Sequence, residues 1–328
     1  MTVKRLIDLC TTRQNPLVVP LMGFPGTQLT HSSIWQNEFN SDLQFRSIQA
    51  LVERFEPDAI FYIMDLAVEA GAIGLPVLFP VDGSPTVRSH LVKDIQDLEQ
   101  LKIVDILHDA RVKTYLDVMQ RMSTSLKIPK GAYVIGPFTL AGLMMGATEL
   151  AMATIDNPSL VHAAAEFATQ TIIRYARALV EAGADMIVIL EPTATFISPK
   201  AFKKFSGQYV EKIIRSIETM SVLHICGDTK HLISAMCETG AQGLSLDAPV
   251  DFNDTIQKIP SDIVLIGNID PVRVMVYETP KGVEKAVHQL LTRMRGHQNF
   301  ILSTGCDLPP ETPLDNIAAF IKAGRNQN

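Results

Sequence analysis

The 328 residues carry a net charge of −6, with 29 Lys and Arg against 35 Asp and Glu, and no segment gathers the basic residues into a block. A nucleic-acid partner needs a basic face, so none is expected. Hydrophobic residues make up 47% and charged residues 20%, enough to bury a sizeable core, yet no run approaches the roughly 20 apolar residues of a bilayer span, and no membrane partner is expected either.

The first stretch, MTVKRLIDLCTTR, has positive charge but neither a long apolar run nor a small-residue cleavage site. No secretory leader is read there, a cytoplasmic location is expected, and the four cysteines are expected as thiols. RLIDLC reads as a short helical extension with Cys10 in the core. Apolar, β-branched runs follow: LVVPLMG (17–23), AIFYIM (59–64), AYVIGPF (132–138), MIVIL (186–190), VLHIC (222–226), GLSLD (243–247), IVLIGNI (263–269) and FILSTGC (300–306). PVLFP (76–80) is a further strand or an extended connection. The segments between them have helical periodicity; PSLVHAAAEFATQTIIRYARALVEAG opens on Pro158 and has Gly183 past its end.

Strands alternating with helices predict a parallel α/β architecture. Eight strands in this length, with no linker-like tract, predict a single (β/α)8 TIM barrel over 1–328, with the N-terminal helical extension. Neither GxGxxG nor GxxxxGK[ST] is present where a dinucleotide or nucleotide fold needs it.

In such a barrel the chemistry belongs where strands end, at the C-terminal mouth. Here the strand ends are loaded: Glu191 after MIVIL, His224 and Cys226 closing VLHIC, Asp247 closing GLSLD, Asn268 and Asp270 in GNIDP, and Cys306 closing FILSTGC. His224 and Cys226, two apart on a strand, share one side of it. Gly227 and Asp228 then read as a turn and a helix N-cap, and Thr312 as a cap with Pro313 at the first helical position.

A lone buried Cys is usually a small hydrophobe, which is the reading of Cys10 and Cys237. Two cysteines and a histidine converging on one mouth are a three-ligand set, and soft thiolates with imidazole suit zinc with a fourth position left for substrate. Asp247 is a candidate fourth ligand or the group that orients His224. Glu191, Asp247 and Asn268 are the candidate substrate-binding residues, with helix capping the competing role for the acids. Two thiolates cancel the charge of the ion, so such a site suits thiol deprotonation and alkyl transfer to sulfur better than hydrolysis.

HICGDTKHLISAMCETGAQGLSLDAPVDF, LIGNIDP and ILSTGCDLPPETPLDNIAAF resemble the uroporphyrinogen decarboxylase superfamily, and within it the corrinoid-dependent branch typified by methylcobamide:coenzyme M methyltransferases. That branch carries a His-x-Cys…Cys zinc signature, matched by His224, Cys226 and Cys306. The resemblance implies a TIM barrel, a zinc-activated thiol, and a methyl group exchanged with a corrinoid. The chain lacks the Asp-x-His-x-x-Gly pattern of many corrinoid-carrying domains, so a partner corrinoid protein, or free cobalamin, is expected to bring the cobalt.

Two departures narrow the expectation. The decarboxylase branch has an arginine-rich stretch near its N-terminus, whereas this chain has no arginine between Arg13 and Arg46, which does not suit a substrate with many carboxylates. Where many coenzyme M relatives have an acid after the strand-ending Asp, this chain has Ala248. The leading expectation is a zinc-dependent methyltransferase acting on a small thiol or another small methyl donor or acceptor. The alternatives are a metal-free decarboxylase and a non-catalytic zinc barrel, closed by Asp247 or Glu191, that binds a corrinoid protein.

Overall fold

The computed structural model describes residues 5–101 and 105–326. The described residues form ten strands, all but β3 and β4 separated by helices: β1 Leu17–Val18, β2 Ile60–Phe61, β3 Val77–Leu78, β4 Thr86–Val87, β5 Lys130–Ile135, β6 Met186–Leu190, β7 Met220–Ile225, β8 Gly243–Leu246, β9 Val264–Ile269 and β10 Phe300–Thr304. Eight of them form one parallel sheet in the order β1-β10-β9-β8-β7-β6-β5-β2. The two edges meet through Asp58: its backbone N–H donates to Val18 O (3.1 Å), and its carboxylate accepts from Val18 N (2.8 Å). The result is the expected TIM barrel with its ring of helices.

The run at 76–80 is the one strand candidate outside the barrel. It supplies β3, which pairs antiparallel with β4 in a small hairpin. The insertion carrying that hairpin separates β2 from β5, so both alternatives held for PVLFP in part.

Alternation along each strand builds the interior. Leu17, Val19, Met186, Val188, Val222, Ser245, Ile266, Ile301 and Ser303, all in one phase of their strands, line an internal cavity of about 200 Å³. The helix Leu6–Thr11 closes its lower end: Leu6 and Leu9 line the cavity, and Leu6 N donates to Gln242 Oε1 (2.8 Å). Helix Pro158–Glu181 shows how the outer layer is held. Its buried face, from Leu160 to Leu179, recurs every three or four residues and includes Ala164, Ala168 and Ala176, which allow close approach. Each fully buried Leu or Ile contributes roughly 1.5–3 kcal/mol. Asn157 Oδ1 caps its start, and Gly183, at φ +103°, ends it in a left-handed turn where other residues are strained.

Two expected caps are different. Thr312 is buried and its hydroxyl donates to Pro309 O (2.7 Å), leaving Pro313 as the residue before helix Leu314–Arg325. Asp228 lies in an exposed turn beside Lys230, and the helix begins five residues later at Ile233. Each side chain is engaged within its own turn, the Thr312 hydroxyl as a donor and the Asp228 carboxylate as an acceptor, which sequence spacing does not distinguish from capping. Among the described residues no single helix is long and apolar enough to cross a membrane.

Candidate metal centre

The phase that puts Val222 inside the barrel also puts His224 there, and carries Cys226 past the strand end on the same side. His224 is 1% exposed. Gly227, at φ +82°, then turns the chain sharply away, and Thr195 Oγ1 holds Cys226 by donating to its carbonyl (2.8 Å). Cys306 arrives differently. It is one residue out of phase with Ile301 and Ser303, but β10 has ended at Thr304, and Gly305 N donates to Ile269 O (2.8 Å) to begin the turn that presents it.

The three donors meet. His224 Nε2 lies 3.0 Å from Cys226 Sγ and 3.8 Å from Cys306 Sγ, and the two sulfurs are 3.4 Å apart. Tetrahedral zinc, with Zn–S about 2.3 Å and Zn–N about 2.0 Å, requires donor separations of roughly 3.5–3.8 Å, which these match to about half an ångström. The Cys226 thiol, and then burial, hold the Cys306 thiol well above its ordinary range, while His224 opposes them. A divalent cation reverses that balance by taking the thiols as thiolates. The residues therefore fit the metal the sequence implies. Among the described residues no further His, Cys, Asp or Glu joins the group.

The three candidate substrate-binding residues each hydrogen-bond within the protein. Glu191 is fully buried and its carboxylate accepts from Phe138 N (2.9 Å), Thr139 N (2.8 Å) and Ser206 Oγ (2.7 Å). It is the acceptor at the start of helix Pro137–Met145, where backbone N–H groups lack partners. Burial pushes its pKa up and those hydrogen bonds pull it back. Asp247 accepts from Gly227 N (2.9 Å) and Ala248 N (2.7 Å), fastening the turn after Cys226 to the end of β8. It does not orient His224; Ser245 Oγ stands 2.9 Å from His224 Nδ1. Asn268 Nδ2 donates to Val250 O (2.6 Å) and Asp247 O (3.2 Å), steadying the same loop, and Asp270 Oδ1 caps its own turn at Val272 N and Arg273 N.

Sequence reading missed a polar cluster at the end of β2. Asp65 pairs with Arg111 and accepts from Tyr115 OH (3.0 Å), all three buried. Arg111 also stacks on Phe79, 4.7 Å from its ring centre. Glu38 is fully buried with neither carboxylate oxygen hydrogen-bonded, and desolvation, offset in part by Arg111, pushes its pKa up to about 7. The signal was available, since Asp65 follows AIFYIM as Asp247 follows GLSL. Asp307 was also missed, although it adjoins Cys306. Its carboxyl accepts from Leu308 N (3.1 Å), and desolvation with the nearby Cys306 holds its pKa well above the usual range.

A barrel with a thiol-rich mouth defines a class, and comparison with known proteins gives the family. The uroporphyrinogen decarboxylase (URO-D) family model matches residues 25–327, and the chain belongs to that family. It is 31% identical over 277 residues to the methylcobamide:CoM methyltransferase MtbA of Methanosarcina acetivorans, covering 82% of this chain and 80% of that one. It is 24% identical over 312 residues to a uroporphyrinogen decarboxylase of Prochlorococcus marinus, covering 91% and 86%. A solved methyltransferase from Methanosarcina mazei superposes with a TM-score of 0.89 at 25% identity, over 98% of this chain and 97% of that one.

Proposed function

We propose that the chain is a zinc-dependent methyltransferase that moves a methyl group between a corrinoid and a small thiol, with His224, Cys226 and Cys306 holding the metal. The observation that carries this reading is the convergence of one imidazole and two thiols at the barrel mouth with no fourth protein donor among the described residues. Kinship with methylcobamide:CoM methyltransferases supports the corrinoid. Zinc so held would accept a small thiol in its free position and favour its deprotonation while leaving the sulfur electron-rich.

The chain's own residues do the rest. Asp247 and Gly227 fix the turn that aims Cys226, Gly305 turns Cys306 inward, and burial of His224 keeps water from one side of the site. Glu191 holds helix Pro137–Met145 at the adjacent strand end. Apolar side chains stand exposed on segments leaving the strand ends, Phe196 (73%) after β6 and Tyr277 (78%) after β9. Such side chains suit a corrinoid protein docking over the mouth; cobalamin free in solution is the simpler donor.

The test is thiol-dependent demethylation of methylcobalamin, followed by its visible spectrum, with 2-mercaptoethanesulfonate and other small thiols as acceptors. Turnover by the wild type and its loss in Cys306→Ser is the expected result. Absence of turnover with the zinc-loaded protein, with free methylcobalamin and with methylated corrinoid proteins alike, would overturn the reading.

A further inference from the structure

We propose that Ser245 is a positioning residue for the metal centre: its hydroxyl accepts the proton on His224 Nδ1 and so fixes the imidazole as the tautomer whose bare Nε2 faces the two cysteines. The inference rests on the zinc reading and adds to it a residue outside the ligand set. Neutral imidazole carries one proton on one of its two nitrogens, and only the unprotonated one can bind a metal. Nε2 is the atom beside Cys226 Sγ (3.0 Å) and Cys306 Sγ (3.8 Å), so the proton must sit on Nδ1.

Ser245 Oγ is 2.9 Å from Nδ1, and both residues are buried. The pairing follows from the barrel. β7 and β8 are parallel neighbours with His224 opposite Ser245 in register, and both side chains point inward. Bulky branched residues dominate the interior layers of such barrels. A serine there is too small to fill the layer, and the interior cavity lies against it. The packing lost at this position is exchanged for a hydrogen bond that orients a ligand.

The cavity makes a clean test possible, because it can take one extra methyl group. Threonine and valine have nearly the same shape and differ in the hydroxyl. Zinc affinity is measured by chelator competition for the wild type and for Ser245→Thr, Ser245→Val and Ser245→Ala. The 15N shifts of the His224 imidazole in the metal-free protein, assigned with His224→Ala, report the tautomer directly. The expected result is a dominant Nδ1–H form and near wild-type affinity in the wild type and Ser245→Thr. Both Ser245→Val and Ser245→Ala should lose about 10–100-fold in affinity and show mixed tautomers.

Equal affinity in all four proteins overturns the proposal, and so does a uniform loss that includes the threonine variant, which would mark a packing effect. A wild type that binds no zinc overturns the metal reading itself, and the proposal with it.

Discussion

Cys226 Sγ and Cys306 Sγ stand 3.4 Å apart although eighty residues separate them. β7 and β10 are not neighbours in the sheet; β8 and β9 lie between them. Only closure of the barrel brings their ends together. Cys226 and Cys306 lie beyond their strand ends, and His224 is held by backbone pairing of β7 with β6 and β8, so a metal bound there would not be needed to hold the fold.

From this, chelation under reducing conditions should remove zinc and leave the far-ultraviolet circular dichroism unchanged. In the same preparation His224→Ala, Cys226→Ser and Cys306→Ser should each bring the metal content down from about one per chain. A small metal-organised domain would instead unfold on chelation. Collapse of the spectrum in the metal-free protein would contradict this account.

Gly305 is the second place where the site can be broken without touching a ligand. A Cβ there would lie 2.7 Å from Ala248 N and 2.8 Å from Asp247 Oδ1, so the ends of β8 and β10 would have to separate. Gly305→Ala should cost about 1–3 kcal/mol in urea unfolding, as overpacking does, and weaken zinc binding by displacing Cys306. Unchanged metal affinity would mean that the turn has more freedom than the close approach implies.

The sequence carried the barrel because period-two strands and capped helices are local signals, and it carried His224 and Cys226 because strand alternation fixes their side. Cys306 was legible only as a strand end, since its orientation comes from the Gly305 turn. Glu191 and Asp247 were read as mouth acids, yet both are consumed by backbone donors. Nothing in one sequence says which N–H groups lack a partner once helix Pro137–Met145 and the Gly227 turn are in place. Ser245 was invisible because a serine in a strand gains meaning only from its register neighbour.

Glu191 yields a prediction that separates capping from substrate binding. Glu191→Ala leaves the first N–H groups of helix Pro137–Met145 and the Ser206 hydroxyl without their acceptor. The expected loss is on the order of 2–4 kcal/mol in chemical unfolding, with zinc affinity within twofold of the wild type. Glu191→Gln keeps one acceptor oxygen and should lose less. A variant of normal stability that fails to bind a thiol would return Glu191 to the substrate.

The last prediction concerns pH. Glu69 is buried at the C-terminal end of β5, where one oxygen accepts from Ile135 N (2.8 Å), and desolvation, only partly offset by backbone hydrogen bonds, raises its pKa from an ordinary 4.5 to about 7. Between those values the folded chain keeps a proton that the unfolded chain has lost. Stability from this group is therefore full below about pH 4.5, falls as the pH rises toward 7, and is level above that, a change on the order of 3 kcal/mol. Glu69→Gln keeps an acceptor for Ile135 and has no proton to lose. Urea unfolding between pH 5 and 8 should thus show a smaller decline in the variant than in the wild type, and a higher stability at pH 8. Glu38, also raised to about 7, titrates in the same window, so Glu38→Gln combined with Glu69→Gln should flatten the profile further. Parallel profiles for the wild type and Glu69→Gln would show that Glu69 is ionised in the folded protein at neutral pH.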